Sequence, residues 1–301
     1  MTESLHSGSW PIRNVLTFDV EDWFHGFRFS PTTQQMLPHR LDAGLARVLE
    51  ILETHRVKAT FFVLGSLVEE WRSTLGLIVD AGHEIAAHGY QHAPMYHLSP
   101  ASFAGDLRRT LVALRSVVGC PIRSYRAPFF SITRRNLWAL PILVKAGITR
   151  DSSIVPAHNP RYGIPSAQRF PHPVFTDYPP KLTEYPISTL SFGGVCLPFG
   201  GGFYARLLPY RLIQAAVRQL NAQGRPAVFY FHPWEFDPDH PRVSEGLPAL
   251  YRFTHYYRLG CTATKLQALL RDFPFGPLSA QTERAAAPSQ MILRTAYAGQ
   301  R

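Results

Sequence analysis

The stretch VLTFDVEDWFH, residues 15–25, reads as a buried strand that runs into a bend and carries three acids, Asp19, Glu21 and Asp22, at its carboxyl end. Leu16, Thr17, Phe18, Val20 and Trp23 supply the apolar, strand-favouring character. Charge at the end of an apolar strand is costly unless something pairs it, so these acids ask for a partner.

Outward from this strand the chain alternates element types. LDAGLARVLEILETH (41–55) has apolar residues at helical spacing, and ATFFVLG (59–65) is again strand-like. The next segment predicts a helix from Ser66 to Gly82, with Ser66 and Glu69 as a capping box. HEIAAHG, a helix over 99–118, IRSYRAP, a helix over 133–146 and ITRDSS continue the alternation. A helix over 210–223, the strand AVFYF (227–231) and a helix over 263–272 complete it. Strands separated by helices imply a parallel sheet or barrel. Residues 155–195, rich in proline and aromatics, read as an irregular insertion. We expect one domain over 12–278, preceded by an extension (1–11) and followed by a poorly ordered polar tail (279–301).

The chain has 301 residues, enough for one large core, with 46% hydrophobic and 17% charged residues. Its first fourteen residues lack the pattern of a secretory signal, and no apolar run is long enough to cross a bilayer, so the expected compartment is the cytoplasm. Cys120, Cys196 and Cys261 are widely spaced without a CxxC, which argues against a disulfide framework or a thiolate zinc site. The net charge of +10 suits an anionic partner, but the basic residues are scattered and no nucleic-acid-binding signature is present. An anionic membrane face is therefore preferred over nucleic acid. Oligomeric state is not legible.

Function in parallel sheets gathers at the strands' carboxyl ends. There this sequence places Asp19, Glu21 and Asp22; His88 and His92; Arg126 to Phe129; Asp151; and His232. Two histidines four apart form a common metal pair, although 13 histidines in 301 residues give roughly half of one such pair by chance. Gly89 directs the pair onto a tight turn, where a carboxylate from the first strand completes a two-His-one-carboxylate set.

Taken in order, TFDVED, KATFFVLG, AGHEIAAHGYQH, YRAPFF, DSS and FYFHPWEFD resemble the polysaccharide deacetylases of carbohydrate esterase family 4, over roughly residues 12–275. The nearest likeness is to the subgroup associated with exopolysaccharide clusters of exosortase-containing bacteria. The resemblance implies the NodB-homology fold, a distorted (β/α)7-type barrel of the α/β class, and metal-dependent N-deacetylation of a glycan or lipid-linked oligosaccharide in the cytoplasm or at the inner membrane. It implies Asp19 as general base, Arg126 as its ion-pair partner, His232 as general acid with Asp151 to orient it, and the Phe129 N–H as oxyanion donor. His88 and His92 would bind a divalent metal, zinc first, with cobalt, nickel or manganese also suited. Here the chain departs from the family's adjacent aspartates, so the third ligand is Asp22 or Glu21; Asp22 is favoured by residue type. Trp234, with Trp23, Phe129 and Phe130, either walls the pocket and stacks on sugar or simply packs in the core. An allantoinase-like or cyclic-imide amidohydrolase, and a carbohydrate-binding pseudoenzyme, are the competing readings.

Overall fold

A computed structural model describes residues 12–281 except 28, 30, 160–161, 175–180 and 244–246; the extension over 1–11 and the tail beyond 281 lie outside the described residues. Strand β1 (Asn14–Val20) is central and pairs in parallel with β2 (Thr60–Val63) and β10 (Val228–Phe231). From β2 the parallel order continues through β3 (Glu84–Ala87), β4 (Ser124–Tyr125) and β5 (Arg150–Asp151) to β7 (Thr183–Glu184). Strand β6 (His172–Pro173) adds antiparallel to β7. Just past β7, Ser188 pairs with Val228 of β10, its N–H donating to the Val228 carbonyl at 3.3 Å and its Oγ accepting the Val228 N–H at 2.8 Å. Residues 183–188 thereby bridge β5 to β10 and close a distorted (β/α)7-type barrel. The hairpin β8 (Thr189–Phe192) and β9 (Val195–Pro198) lies outside this ring.

Side chains alternate along β1, and the alternation sorts the two sides of the barrel. Leu16, Phe18 and Val20 join the outer core with Leu45 and Val48 of helix α2 (Leu41–Thr54) and Leu266 and Leu269 of a helix over Thr262–Asp272. Val15, Thr17 and Asp19 face the barrel axis. The outer layer also includes α3 (Arg72–Asp80), α4 (Pro100–Val118), α5 (Ala139–Lys145) and α7 (Tyr210–Ala222). Past the carboxyl end of β10, α6 (Gly202–Leu207) meets the end of α8 (Ala249–Tyr256), while α1 (Pro31–Gln35) lies between β1 and α2 in the chain and α9 (Thr262–Asp272) returns to the outside. Strand β11 (Phe275–Gly276) pairs with the start of β1, and Leu278 N–H and Ser279 N–H donate to Thr60 Oγ1 and Glu84 Oε2 at the opposite end.

Two predicted helices differ from what forms. Ser66 caps nothing: its N–H donates to Tyr90 O while Gly65 N–H donates to Gly89 O, which ties this turn to the histidine loop. The helix starts at Arg72 instead, after the uncapped Trp71. A capping box is found at α4, where Ser99 and Ser102 exchange hydrogen bonds. The 133–146 helix shortens to Ala139–Lys145, since Thr133 N–H donates to Asn136 Oδ1 and Asn136 Nδ2 to Ser131 O, holding a separate turn. Pro141 also prevents upstream extension by lacking an N–H.

Helix α2 lies against the turn Pro233–Phe236 that follows β10, close enough that a Cβ on Gly44 would stand 2.2 Å from Pro233 O. Gly44→Ala is expected to destabilise the protein by about 1 to 3 kcal/mol through overpacking, measured by denaturant unfolding; an unchanged midpoint would show that the turn can yield.

Candidate active site

Residue alternation carries past the end of β1, so Asp19 and Glu21 point into the mouth while Asp22 points the other way. Asp22 accepts from Trp23 N–H at 2.8 Å and Arg40 N–H at 3.1 Å, and its Oδ2 lies 3.1 Å from His39 Nδ1. It thus secures the entry to α2. Burial raises its pKa, opposed by the Trp23 and Arg40 donors. The expectation favouring Asp22 beside the histidines is corrected: Glu21 is the carboxylate that lies there.

Glu21 Oε1 is 2.9 Å from both His88 Nε2 and His92 Nε2. His88 Nδ1 lies 2.9 Å from Arg126 O, and His92 Nδ1 lies 3.3 Å from His25 O. Carbonyls only accept, so both Nδ1 atoms carry hydrogen, and a neutral ring then turns a bare Nε2 lone pair toward Glu21. His92 Nε2 is buried and out of hydrogen-bonding alignment despite its short distance. Three acceptors converging without a donor are what a divalent cation satisfies, and two imidazoles with one carboxylate are a suitable ligand set. Burial raises the Glu21 pKa, and only positive charge in the place a cation would take outweighs it: were the His92 and His88 rings protonated, they would hold Glu21 well below the usual range.

Asp19 stands beside this group, since one ligand atom each of Asp19, Glu21 and His232 lie within 4.8 Å of one another. Arg126 Nη1 donates to Asp19 Oδ1 at 2.6 Å and to Thr17 Oγ1 at 2.9 Å. Its Nε and Nη2 reach Ser152 O and Ser152 Oγ, and the guanidinium lies 4.1 Å from the Phe62 ring centroid. Arg126 is 0% exposed and Asp19 2%, so this is an internal charge pair with its donors engaged rather than a surface contact.

His232 leaves the end of β10 with Nδ1 2.9 Å from Glu235 Oε1. Its own backbone N–H also donates to that oxygen. Burial opposes charge on the ring, but the Glu235 hydrogen bond and the charges of Glu21, Glu235 and Asp19 raise its pKa to about 9. The expected orienting partner, Asp151, is elsewhere: Ser153 Oγ donates to Asp151 Oδ1 and accepts from Ala127 N–H, so Asp151 braces the Arg126–Phe129 loop. It also stands in register with Glu184 across β5 and β7. Burial raises Asp151 to about 6 and Glu184 well above its ordinary value.

The aromatics divide by exposure. Trp23 is fully buried, and Trp234, 9% exposed, stacks between His232 and His255 with ring centroids 5.1 and 4.0 Å away. Trp234 therefore backs the His232 ring. Phe130 is buried near Arg126, whereas the half-buried Phe129 lies 4.3 Å from the His92 ring centroid. Phe129 and Phe130 have φ of 56° and 51°, and His92 57°, a left-handed strain concentrated at the mouth.

Three contributors had no assigned role in the sequence reading. Glu235 was legible as the acid three residues after His232; His25, whose carbonyl orients His92, lies in the opening stretch; Arg206, which donates to Glu235 Oε2 at 3.0 Å, has no local signal.

Comparison with known proteins places this geometry. Residues 15–149 match the family model described as polysaccharide deacetylase, and 152–283 match a domain of unknown function (DUF3473). Residues 15–149 thus form a polysaccharide deacetylase domain. A peptidoglycan deacetylase of Helicobacter pylori is 29% identical over 121 residues, 39% of this chain and 39% of that protein. A chitooligosaccharide deacetylase of Bradyrhizobium sp. is 34% identical over 107 residues, 34% of this chain and 45% of that protein. The chain thus spans less than half the length of these relatives. A crystal structure from Mycobacterium smegmatis, provisionally described as a polysaccharide deacetylase, has a TM-score of 0.60 at 21% identity and covers 90% of each chain, which shows a shared fold. Asp19, Glu21, His88, His92 and Arg126 fall in the first matched segment, and His232, Glu235 and Arg206 in the second.

Replacing the carboxylate at each position separates the two acids. Glu21→Gln should weaken zinc binding by at least about 100-fold, measured by competition with a chromophoric chelator, whereas Asp22→Asn should retain it. The opposite ranking would restore Asp22 as the ligand.

Proposed function

We propose that this protein is a metal-dependent N-deacetylase that releases acetate from an N-acetylated glycan. The observation that carries the reading is the convergence of Glu21, His88 and His92 with Asp19 and His232 at one barrel mouth. Relatives described as peptidoglycan and chitooligosaccharide deacetylases support the substrate class. Zinc suits the ligand set, and cobalt, nickel or manganese share its preferences.

An amide resists hydrolysis because water is a weak nucleophile, the carbonyl a weak electrophile and the amine a poor leaving group. Glu21, His88 and His92 would hold a divalent cation, which when bound would supply Lewis acidity to the attacking water and the acetyl carbonyl. Arg126 occupies Asp19 Oδ1, so Asp19 accepts the water's proton at Oδ2. The backbone N–H of Phe129 donates to the oxygen as it gains charge. His232 keeps Nδ1–H on Glu235 and delivers its other proton, from Nε2, to the departing sugar nitrogen. Acetate and a free amino sugar result.

The DUF3473 match over residues 152–283 is compatible with the exopolysaccharide-associated subgroup, and we place the reaction in exopolysaccharide biosynthesis on a lipid-linked or soluble precursor. No helix among the described residues is long and apolar enough to cross a membrane. The +10 charge of the chain favours peripheral attraction to anionic lipid as the route to a lipid-linked substrate. Sedimentation with phosphatidylglycerol vesicles should be lost at high salt; equal sedimentation with neutral vesicles would refute that attraction.

Purified protein should release acetate from N-acetylglucosamine oligosaccharides, stop on chelation and recover with zinc. Asp19→Asn and His232→Ala should each lower turnover at least about 100-fold with the fold retained. Hydrolysis of a cyclic imide without acetate release would replace the reading.

The proton donor also sets a pH limit. His232 must be protonated, so kcat/KM should fall as pH rises through its pKa, between the ordinary 6.5 and about 9 because the cation offsets Glu21. Glu235→Gln removes a group that raises this pKa and should move the alkaline limb to lower pH; a shift to higher pH would contradict the assignment.

A further inference from the structure

Glu235 is held from two sides by one short helix. Arg206, on α6, donates from Nε to Glu235 Oε2 at 3.0 Å, while Glu235 Oε1 receives His232. One turn earlier on the same face, Gly202 leaves the space the carboxylate fills: a Cβ there would stand 2.1 and 2.2 Å from its two oxygens. The rest of the guanidinium is spent on the end of α8. Nη1 donates to His255 O at 3.0 Å and Tyr257 O at 2.5 Å, and Nη2 to Thr254 O at 3.0 Å. These carbonyls lie in or just beyond the helix's last turn, where carbonyls lack helical partners and favour a cation. Arg206 and Glu235 are each 1% exposed, so neither charge is stabilised by bulk water.

We propose that Arg206 is a positioning residue for the proton donor His232, holding Glu235 so that the imidazole presents its Nε2 proton to the leaving nitrogen. The inference rests on the deacetylase reading above, in which His232 protonates the amine. Arg206 lies outside the Glu21, His88 and His92 group and acts through Glu235; its guanidinium also lies 5.9 Å from the ring centroid of Trp234, which stacks on His232. The planar guanidinium spans a carboxylate and three carbonyls in fixed directions, which a lysine ammonium cannot reproduce.

This role differs from plain structural support in its dependence on the leaving group. A sugar amine must be protonated as it departs, whereas 4-nitrophenolate leaves without a proton. Arg206→Met should lower acetate release from an N-acetylglucosamine oligosaccharide by at least about 10-fold while changing 4-nitrophenyl acetate hydrolysis by less than about 3-fold. Arg206→Lys should restore part of the amide activity. Gly202→Ala, which displaces the same carboxylate with the guanidinium present, should give the same split and decides the matter if Arg206→Met does not fold. Parallel loss on both substrates, or unchanged amide turnover, overturns the proposal. His232→Ala separates the two levels: if it shows the split and Arg206→Met does not, only this inference fails; if it loses both activities equally, the proton-donor reading falls and takes this inference with it.

Discussion

Two carboxylates buried at the end of one strand impose the main constraint on this molecule. Asp19 and Glu21 are 2% and 3% exposed, and unpaired charges in such surroundings would cost several kcal/mol each. The fold answers them separately. Arg126, just past the end of β4 on the far side of β2 and β3, takes Asp19; the imidazoles from the loop after β3 converge with Glu21 on the position a divalent cation would fill. Each partner comes from a different strand end, so the barrel must close correctly before either charge is stabilised. The charge that makes the site expensive to bury also makes it specific to this arrangement.

The geometry around these charges is supported from behind. Asp151 and Ser153 brace the Ala127 amide, and Ser152 engages the Arg126 guanidinium, so β5 acts mainly on the loop that follows β4. On the other side, α2 presses on Pro233 through the gap at Gly44, and Glu235 returns to His232. The base, the acid and the histidine pair are thus carried on strand ends, with their orientation set by loops that pack on helices.

Much of this was legible in the sequence. Alternating strands and helices implied a parallel sheet or barrel, the family resemblance narrowed this to the barrel, and the rule that function gathers at strand carboxyl ends selected Asp19, His88, His92, Arg126 and His232. The choice of Asp22 followed residue type, while the two-residue period of a strand points to Glu21, which shares a face with Asp19. Asp151 was a poor guide because partnership with His232 depends on how the chain turns after β10, and residues 183–188 separate β5 from β10 around the ring. Glu235 was readable from its spacing to His232. Arg206 was not, because its contacts join α6 to α8 across some fifty residues of sequence. The capping box expected at Ser66 failed for a related reason: tertiary hydrogen bonds to the histidine loop claimed that backbone first.

The central claim is that Glu21, His88 and His92 grip one divalent cation beside Asp19 and His232. Anomalous diffraction at the zinc edge from zinc-loaded crystals tests it most directly. A single strong peak is expected about 2.0 to 2.2 Å from Glu21 Oε1, His88 Nε2 and His92 Nε2. A peak coordinated by Asp22, or no peak at the barrel mouth, would contradict it.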